Sequence, residues 1–277
     1  MRLSGIVDTA GGLGRHDHVG WAFARSADFR AVAGQFLDDG LASQERVLYV
    51  AGPGTPAPAV LDDAVADGRA EVASVAELYG ADRPVEPERQ VSTFAAEVER
   101  ALADGWTGLR VAADITSLVR TERQRAAWIR YEHLVDAFIA ATPLAGLCGF
   151  DRRVLGEAAL AEVSCLHPAL TPDSSDFRLY TTPDPDTGFA LAGEIDPGNR
   201  RTLETVLREA HPAPRDGRIT VDVTALTFVD HHGLAALADY AAERGVTAVI
   251  RACPGSVPKM IADLVPMSGL EVQVVSA

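Results

Sequence analysis

The clearest alternation of hydrophobic and polar residues lies in ITVDVTALTFVDHHGLAALADYAAERG, residues 219 to 245. Isoleucine and valine alternate with polar residues at its start, and this period of two predicts a half-buried β-strand. After Asp230, leucine and alanine recur at three- and four-residue spacing, which predicts an amphipathic helix that ends at Gly245. Asp230 to Gly233 is therefore a predicted strand-to-helix corner, where free backbone N–H groups and the positive end of the helix dipole gather.

Apolar strands and amphipathic helices alternate over the earlier part of the chain. Strands are predicted at HVGWAFA, RVLYVAG, residues 70 to 75, LRVAADI and LAGLCGF. Helices are predicted to begin near Ser26 and to cover residues 59 to 66, 88 to 103, 121 to 140 and 154 to 163. This alternation implies βαβ crossovers and a parallel sheet with helices on both faces. Later, FRLYTT and FALAGEI flank PDPDTG and predict a hairpin.

A glycine-rich start and one polar stretch set the predicted domain boundaries. Residues 1 to 15 are expected to form a loose tail. The polar, proline-bearing stretch PALTPDSSD predicts an interdomain linker at residues 171 to 176. The predicted domains therefore span residues 16 to 170 and 177 to 277, which fits a prior of about 150 residues per domain.

Composition narrows the classes of function. A net charge of −14 argues against nucleic acid as a direct partner, because phosphate binding needs clustered cations. The N-terminus lacks a signal-peptide core and no segment reaches roughly 18 uninterrupted apolar residues, so we expect a cytoplasmic protein with no membrane partner. Cys148, Cys165 and Cys253 lie far apart, which predicts reduced thiols and excludes zinc-finger spacing.

The corner and its flanks follow a known order of motifs, with FALAGEIDPGNRRTLETVL before LTFVDHHGLAAL. Together they resemble the STAS domain of bacterial anti-sigma factor antagonists, whose corner has the form hydrophobic-Asp-Ser-x-Gly-Leu. The resemblance covers residues 177 to 277. It implies an α/β domain that binds an anti-sigma factor or related kinase-like protein, and His231 stands where the family carries its phosphorylated serine. The implied partner-binding or switch residues are Asp230, His231, His232, Gly233 and Asp196.

A second set of motifs comprises HDHVGWAFARSADF, FLDDGLASQERVLYV, LRVAADITSL, the Tyr131-Glu132 pair, LCGFD and His167-Pro168. Residues 16 to 170 resemble the MEDS domain, a sensory module related to RecA-like ATPases. The resemblance implies a RecA-like parallel sheet flanked by helices, and a small-molecule ligand. A phosphate loop is expected after RVLYVAG, but GPGTPAPAV lacks the lysine and following Ser/Thr, and its prolines remove backbone donors. We therefore expect no cofactor and no ATP hydrolysis.

Positions near strand ends are candidate ligand-binding residues in the first domain. His16 and His18 lie two residues apart, so on a strand they would share a face and hold a metal or a small ligand. The alternative is a flexible terminal pair, and the scarcity of other ligand-spaced residues favours no metal. Asp114 ends an apolar strand, where open α/β sheets place functional carboxylates. It would serve equally well as the cap of the following turn.

Further candidates lie in the later part of the first domain. Tyr131 and Glu132 sit in an arginine-rich helix whose charge is typical of a solvated face, whereas the MEDS resemblance implies a pocket role. Cys148, Asp151 and His167 would together suit Cys-His-Asp catalysis. Cys148 lies inside an apolar strand, so a buried and inert thiol is the favoured interpretation.

The two histidines of the corner, His231 and His232, also have two interpretations. Adjacent helical positions point about 100° apart, so the pair is poorly placed to chelate one ion. The favoured interpretation is that His231 fills the serine site while Asp230 caps the helix.

The sequence therefore predicts a two-domain α/β signalling regulator without enzymatic activity. The alternatives are a scaffold in a larger signalling complex and, ranked lower, an enzyme built on the N-terminal domain. Sheet edges in such a chain are compatible with a homodimer.

Overall fold

The computed structural model describes residues 2–80, 83–184 and 187–276. The chain divides into two units, Met1–Ser174 and Ser175–Ala277, of which the two terminal residues lie outside the described ranges. The division falls inside the predicted linker of residues 171 to 176. Thr171 and Ser174 are buried and their hydroxyl groups are hydrogen-bonded to each other at 2.7 Å. The start of the predicted linker therefore belongs to the first unit.

A parallel sheet forms the centre of the first unit. Its strands are β1 (Gly5–Ile6), β2 (His18–Phe23), β3 (Arg46–Ala51), β4 (Ala70–Ser74), β5 (Leu109–Asp114), β6 (Leu144–Asp151) and β7 (Ala169–Leu170). Among the described residues these strands pair in the order β1-β7-β2-β6-β5-β3-β4, and every pairing is parallel. The predicted parallel sheet is confirmed.

Helices cover both faces of this sheet. They are α1 (Ser26–Ala42), α2 (Asp62–Ala66), α3 (Val75–Tyr79), α4 (Pro87–Ala103), α5 (Glu122–Ala141) and α6 (Arg152–Ser164), with 3₁₀ turns at Ala59–Leu61 and Thr116–Leu118. In β3, Tyr49 joins a hydrophobic cluster with Phe36 of α1, whereas Val50 joins another cluster with Trp128 of α5. Because successive strand residues point to opposite faces, α1 and α5 cover opposite faces.

A capping box sets the start of α5. The Gln124 amide donates to Thr121 Oγ1 at 3.2 Å, and the Thr121 amide donates to Gln124 Oε1 at 3.0 Å. These bonds satisfy amide groups that a helix N-terminus otherwise leaves without partners. The cap matters for function because α5 carries Tyr131 and Glu132 to the sheet.

The direction of the chain reverses beside β2. From β2 the chain runs through α1 to β3 on one side, whereas from β6 it runs through α6 to β7 on the other side. Side chains of α1 and α6 belong to different hydrophobic clusters, so the two crossovers lie on opposite faces. The carboxyl ends of β2 and β6 therefore form one switch point, and those of β5 and β3, whose crossovers also leave in opposite directions, form a second. Open α/β sheets bind ligands at such points. The segment GPGTPAPAV after β3, which lacks the lysine of a phosphate loop, lies at the second of these points.

The first residues of the chain are part of the fold. Gly5–Ile6 pairs with β7, and Ala10 and Leu13 are buried. Arg2 forms an ion pair with the buried carboxylate of Asp136. The prediction of a loose tail over residues 1 to 15 is therefore wrong for residues 2 to 15. The physical reason is that this segment covers the edge of short β7 and neutralises a buried charge.

A mixed sheet forms the second unit. Its strands are β8 (Phe177–Tyr180), β9 (Phe189–Ile195), β10 (Arg218–Val229), β11 (Thr247–Ala252) and β12 (Leu270–Val274), and its helices are α7 (Arg200–Ala210), α8 (His231–Glu243) and α9 (Val257–Leu264). The order is β12-β11-β10-β9-β8, with β8 and β9 antiparallel and the other pairs parallel. The predicted hairpin is present, and Pro185 and Asp186 of its PDPDTG turn lie outside the described residues.

The alternating residues that predict a strand and the apolar residues that follow them up to the corner form the single strand β10. Its register with β9 shifts between Asp222 and Ala225 and again between Leu226 and Phe228, which accounts for the broken alternation of the sequence. Gly245 follows α8 with a φ of 68°, as a C-cap glycine requires. Within the described ranges, no helix combines the length and the apolar character needed to cross a bilayer.

Candidate functional site

Four side chains meet in the interior of the first unit. His18 begins β2, Glu132 lies on α5, Cys148 lies on β6, and His167 precedes β7. Each offers one atom able to bind a metal ion, and these four atoms all lie within 4.8 Å of one another. We call these residues the buried polar cluster.

Two glycines make room for the imidazole rings of the cluster. A Cβ atom at Gly146 would lie 3.1 Å from His18 Cδ2, and one at Gly20 would lie 3.1 Å from His167 Cγ. Such approaches are closer than ordinary van der Waals contact. The two rings consequently lie against the sheet with their centroids 4.3 Å apart.

The polar atoms of the cluster face one another. His18 Nε2 lies 3.3 Å from Glu132 Oε2 and 3.7 Å from Cys148 Sγ. His167 Nε2 lies 3.7 Å from Glu132 Oε2. Both histidines and Glu132 are at most 1 % exposed, so these three side chains are shielded from bulk water, whereas Cys148 is half-buried.

Hydrogen bonds outside the cluster orient both rings. His18 Nδ1 donates to Asp136 Oδ1 at 2.9 Å, and His167 Nδ1 donates to the Ser164 carbonyl oxygen at 3.0 Å. Because a carbonyl oxygen and a carboxylate only accept, the proton of each ring is assigned to Nδ1. Each Nε2 therefore faces the other members of the cluster.

Several polar atoms of the cluster have no hydrogen-bond partner among the described residues. They are both carboxylate oxygens of Glu132 and Nε2 of His167. The contact of 3.3 Å from Glu132 to His18 has an ion-pair distance but not hydrogen-bond geometry. Buried polar atoms are normally satisfied, and a buried carboxylate without partners is especially costly.

Burial and neighbouring charges shift the pKa values of the cluster. Burial, followed by the charge of His18, lowers the pKa of His167 to about 4. Burial, followed by the charge of Glu132, raises the pKa of the Cys148 thiol well above its ordinary value. Burial lowers the pKa of His18, but the hydrogen bond to Asp136 and the nearby negative charge of Glu132 outweigh it, and the net direction is upward. At neutral pH the thiol and His167 are therefore uncharged.

Asp136 is a positioning residue that sequence reasoning missed. Burial raises the pKa of Asp136, but the guanidinium of Arg2 and the bond to His18 lower it by more. It lies four residues after Glu132 on α5, so both carboxylates share one helical face. The four-residue spacing of these two acidic residues within an apolar segment is the sequence signal that could have identified Asp136.

A cavity of about 30 Å³ adjoins the cluster. His18 and Cys148 line it together with Tyr79 and Tyr131, and the rest of the lining is Phe94, Val111, Ala113, Val135, Ile139, Leu144, Ala145, Gly146 and Leu147. A single water needs about 10–15 Å³ of such space, so the cavity admits a very small molecule. A groove of about 580 Å³ beside α1 is larger, but its lining is mainly alanine, glycine and proline and lies apart from the cluster.

The remaining candidates of the first unit lie outside the cluster. His16 has a φ of 71° and precedes β2, and its Nδ1 lies 3.0 Å from the Ile139 carbonyl oxygen. The prediction that it shares a strand face with His18 is therefore wrong. Asp151 caps α6 by accepting from the Arg153 amide at 2.9 Å, so it takes no part in a Cys-His-Asp arrangement.

Asp114, Tyr131 and Glu132 each have a structural outcome. Asp114 accepts hydrogen bonds from the amide and the hydroxyl of Thr116 at 3.2 and 2.7 Å, which supports the capping alternative. Tyr131 and Glu132 are 3 % and 0 % exposed, so neither belongs to a solvated face. Tyr131 lines the cavity and Glu132 lies in the cluster.

The corner of the second unit comprises Asp230, His231, His232 and Gly233. Asp230 Oδ1 accepts from the Gly233 amide at 2.7 Å, so the predicted cap of α8 is present. A Cβ atom at Gly233 would lie 2.8 Å from side-chain carbons of Ile195 and Val229, which explains the glycine. The corner is thereby held closely against the ends of β9 and β10.

Both histidines of the corner are exposed. Their ring centroids are 3.9 Å apart at an interplanar angle of 37°, so the rings meet where the helical spacing had predicted divergence. In the first turn of α8 both side chains have room to rotate toward each other. The Asp230 amide donates to the Ile195 carbonyl oxygen at 3.2 Å, and Asp196, the other predicted switch residue, follows directly and accepts from the Gly198 amide at 2.7 Å.

Comparison with known proteins finds two matching family models. The model described as the methanogen/methylotroph, DcmR sensory domain, MEDS, matches residues 17–168. The model described as the Mlab, STAS domain matches residues 180–275. The first match covers more than half of the chain, and the two matches occur in the predicted order. A search of curated proteins finds no match.

Proposed function

The chain belongs to the MEDS family and carries a STAS domain after its MEDS domain, and from this premise we propose that it is a non-enzymatic signalling regulator similar to anti-sigma factor antagonists. The STAS domain would bind a protein partner, an anti-sigma factor or related kinase-like protein. The MEDS domain would sense a small ligand. The same fold supports many functions, so the role of each domain depends on the residues of its own site.

The exposed and rigidly capped corner is the observation that carries the proposal for the STAS domain. The Asp230 cap and the close packing of Gly233 fix the start of α8. The imidazoles of His231 and His232 project from this fixed start into solvent. A preorganised, exposed group loses little conformational freedom on binding, which favours recognition of a partner.

His231 changes how such a contact is controlled. A phosphoserine at this position would add about −1.5 to −2 charges and would repel a partner that tolerates the neutral side chain. Histidine has no hydroxyl group to phosphorylate. We propose that control passes from phosphorylation at this site to ligand binding in the MEDS domain or to the amount of protein.

The cavity beside the buried polar cluster supports a sensory role for the MEDS domain. Its walls are mainly apolar, with the polar groups of His18, Tyr131 and Cys148 at defined positions. A few fixed polar groups in an apolar cavity are typical of small-molecule sites. The size of about 30 Å³ restricts the ligand to a molecule of very few heavy atoms unless the walls move.

Two features support a role without nucleotide chemistry. The side chain of Asp114 lies so close to Gly52 that a Cβ atom there would meet its Oδ2 at 2.5 Å, so a carboxylate stands where the predicted phosphate loop begins. At the switch point of β2 and β6, the first turn of α1 contains Asp28, which forms an ion pair with Arg25 at 2.9 Å. The carboxylate of Asp114 would repel phosphate, and the Asp28–Arg25 pair offers no net positive charge to attract it.

Charge insertion at the corner tests the proposal. The full chain with His231→Glu is compared with the wild type for binding to its cognate anti-sigma factor by isothermal titration calorimetry. We expect about tenfold weaker binding, because the new charge mimics part of the phosphoserine effect. Gln273→Glu adds the same charge on the exposed strand β12 and is the matched control. Equal binding by all three proteins would contradict docking through the corner.

A phosphorylation assay tests the proposed loss of control. The wild type and His231→Ser are incubated with the cognate kinase and ATP and analysed by mass spectrometry. We expect phosphate on the hydroxyl group introduced at position 231 of the variant, and none that affects binding in the wild type. Phosphate on Thr227 or Ser256 of the wild type, with loss of partner binding, would contradict it.

A scaffold role is the second candidate, and the edge of the second sheet favours it. β12 is the terminal strand of the sheet order, and Val274 is 53 % exposed on it. An exposed edge strand with an apolar side chain offers a template for pairing with another copy. Light scattering coupled to gel filtration would reveal such assembly, and Val274→Lys should abolish it.

A further inference from the structure

We propose that the buried polar cluster is a binding site for a single Zn²⁺ ion, held by His18 Nε2, Glu132, Cys148 Sγ and His167 Nε2. The inference is independent of the proposed function, since it rests on the geometry of four side chains in the first unit. It departs from the sequence analysis, which predicted no metal.

The separations of the cluster match those of a tetrahedral ion. With bonds of about 2.0–2.3 Å, tetrahedral geometry places ligand atoms about 3.3–3.7 Å apart. His18 Nε2 and Glu132 Oε2 are 3.3 Å apart, and two further pairs, each with one histidine Nε2, are 3.7 Å apart. All pairs fall within 4.8 Å, so a small adjustment of side chains completes the site.

The atoms without partners are those that an ion would bind. Glu132 Oε1 and Oε2 and His167 Nε2 are fully buried and make no hydrogen bond among the described residues. A proton on His18 Nε2 would satisfy one oxygen of Glu132, but it would leave His167 Nε2 facing the same carboxylate without a hydrogen between them. A divalent cation bound to Glu132 Oε2 and His167 Nε2 satisfies both of these facing atoms and neutralises the carboxylate, which one proton does not.

The orienting bonds of the two rings are those of metal-binding histidines. A ligating histidine usually donates its other ring proton to a carboxylate or a backbone carbonyl, which fixes the tautomer. His18 donates to Asp136 and His167 donates to the Ser164 carbonyl oxygen. Arg2 pairs with Asp136, so the orienting carboxylate is itself held in place.

Charge balance and ligand type indicate zinc. Binding displaces the Cys148 thiol proton and any proton on His18 Nε2 to solvent, so the thiolate and the Glu132 carboxylate together balance the two positive charges of the ion. The resulting site is neutral, as a buried site requires. Mixed nitrogen, sulfur and oxygen ligands suit a borderline ion such as Zn²⁺, whereas Ca²⁺ and Mg²⁺ prefer oxygen alone.

Metal content of the full chain is the first test. The proteins compared are the wild type, Cys148→Ser, Glu132→Gln and Cys253→Ser. Each is stripped of metal with a chelator under reducing conditions, loaded with Zn²⁺ and gel-filtered, and its zinc content is measured by inductively coupled plasma mass spectrometry. Cys253 is the matched control because it is a half-buried cysteine of the second unit. We expect one ion per chain in the wild type and in Cys253→Ser, and loss from both cluster variants.

The same measurement can overturn the proposal. Ion retained in all four proteins would assign it to another site, such as the exposed His231 and His232. A wild type without retained ion would also overturn it. Glu132 is buried and Cys148 is half-buried, so a variant that fails to fold would lose the ion for a trivial reason. A second measurement on the wild type avoids this.

Cobalt spectroscopy of the wild type is that second measurement. Tetrahedral Co²⁺ bound to a thiolate gives intense visible bands and a sulfur-to-cobalt charge-transfer band. We expect both in the stripped protein after one equivalent of Co²⁺, and we expect one equivalent of Zn²⁺ to remove them. A weak, octahedral-type spectrum without charge transfer would overturn the assignment to Cys148.

Discussion

The buried polar cluster and the corner use similar residues in opposite environments. In the cluster, two histidines and a carboxylate lie in the interior, and atoms of Glu132 and His167 lack hydrogen-bond partners among the described residues. In the corner, two histidines are exposed, and the carboxylate of Asp230 is satisfied by a backbone amide three residues later. The polar groups of the corner are satisfied locally and its histidines face solvent, whereas the cluster contains buried polar atoms that the proposed Zn²⁺ ion would bind.

Removal of Asp136 should give the largest effect on stability. Asp136→Ala breaks a buried ion pair with Arg2 and takes the acceptor from His18, which we expect to cost about 3–5 kcal/mol. Hydrogen-exchange mass spectrometry of β2 and β6 in the full chain measures the loss locally. Asp28→Ala, which breaks an exposed pair with Arg25, should leave the exchange unchanged. Equal protection in both variants would contradict the stabilising role of Asp136.

Gly233→Ala, in the corner of the second unit, should produce the next largest loss of stability. The new Cβ would lie 2.8 Å from carbons of Ile195 and Val229, and overpacking of this kind costs about 1–3 kcal/mol. Urea unfolding measures this loss of stability for the full chain, and hydrogen exchange of the α8 amides measures it locally. His232→Ala removes an exposed side chain one residue earlier and serves as the control. Unchanged exchange protection of the α8 amides in Gly233→Ala would show that the corner is not tightly packed.

Loss of the helix cap should be smaller. Asp230→Ala removes the acceptor of the Gly233 amide, and loss of an N-cap costs about 0.5–2 kcal/mol. Asp230→Ser keeps a capping oxygen and should recover most of the stability. Thermal unfolding of the three proteins separates them, and identical midpoints for alanine and serine would argue against a capping role.

Asp114→Asn should have a small effect that depends on pH. Burial raises the pKa of Asp114, although hydrogen bonds from Thr116 oppose the shift. A carboxyl group with a raised folded pKa contributes most stability below its unfolded pKa and loses this contribution as pH rises through the folded pKa. The asparagine variant should therefore be more stable than the wild type at neutral pH.

The advantage of Asp114→Asn should disappear below pH 3.8, the ordinary pKa of an aspartate. Urea unfolding across the acid and neutral range measures the difference. If the variant is less stable than the wild type at neutral pH, the prediction is wrong. The hydrogen bonds from Thr116 would then stabilise the Asp114 carboxylate by more than burial destabilises it.

The corner could be predicted because most of its determinants are contiguous. The strand, the capping carboxylate and the apolar face of α8 lie between residues 219 and 245 and act on neighbours a few residues away, so local periodicity and capping rules are sufficient for them. The packing of Gly233 against Ile195 of β9 is the long-range exception. The meeting of the two histidine rings was not predicted, because it depends on side-chain rotation and not on helical spacing.

The cluster could be predicted only in part, because its residues are far apart in the sequence. All four residues, His18, Glu132, Cys148 and His167, were candidates, but their meeting depends on β2 pairing with β6 and on α5 covering that face. The left-handed backbone of His16 also breaks the alternation on which its pairing with His18 was predicted. Asp136 and Arg2 went unrecognised since a buried ion pair across the fold has no local sequence pattern.

Site-specific photo-crosslinking tests the central claim, that the corner binds a protein partner, most directly. A photoreactive amino acid is placed at position 231 or at the control position 273 of the full chain, in the cells that naturally express it. We predict that position 231 crosslinks to an anti-sigma factor or kinase-like protein and that position 273 does not. Equal crosslinking from both positions, or none from position 231, would contradict partner recognition by the corner.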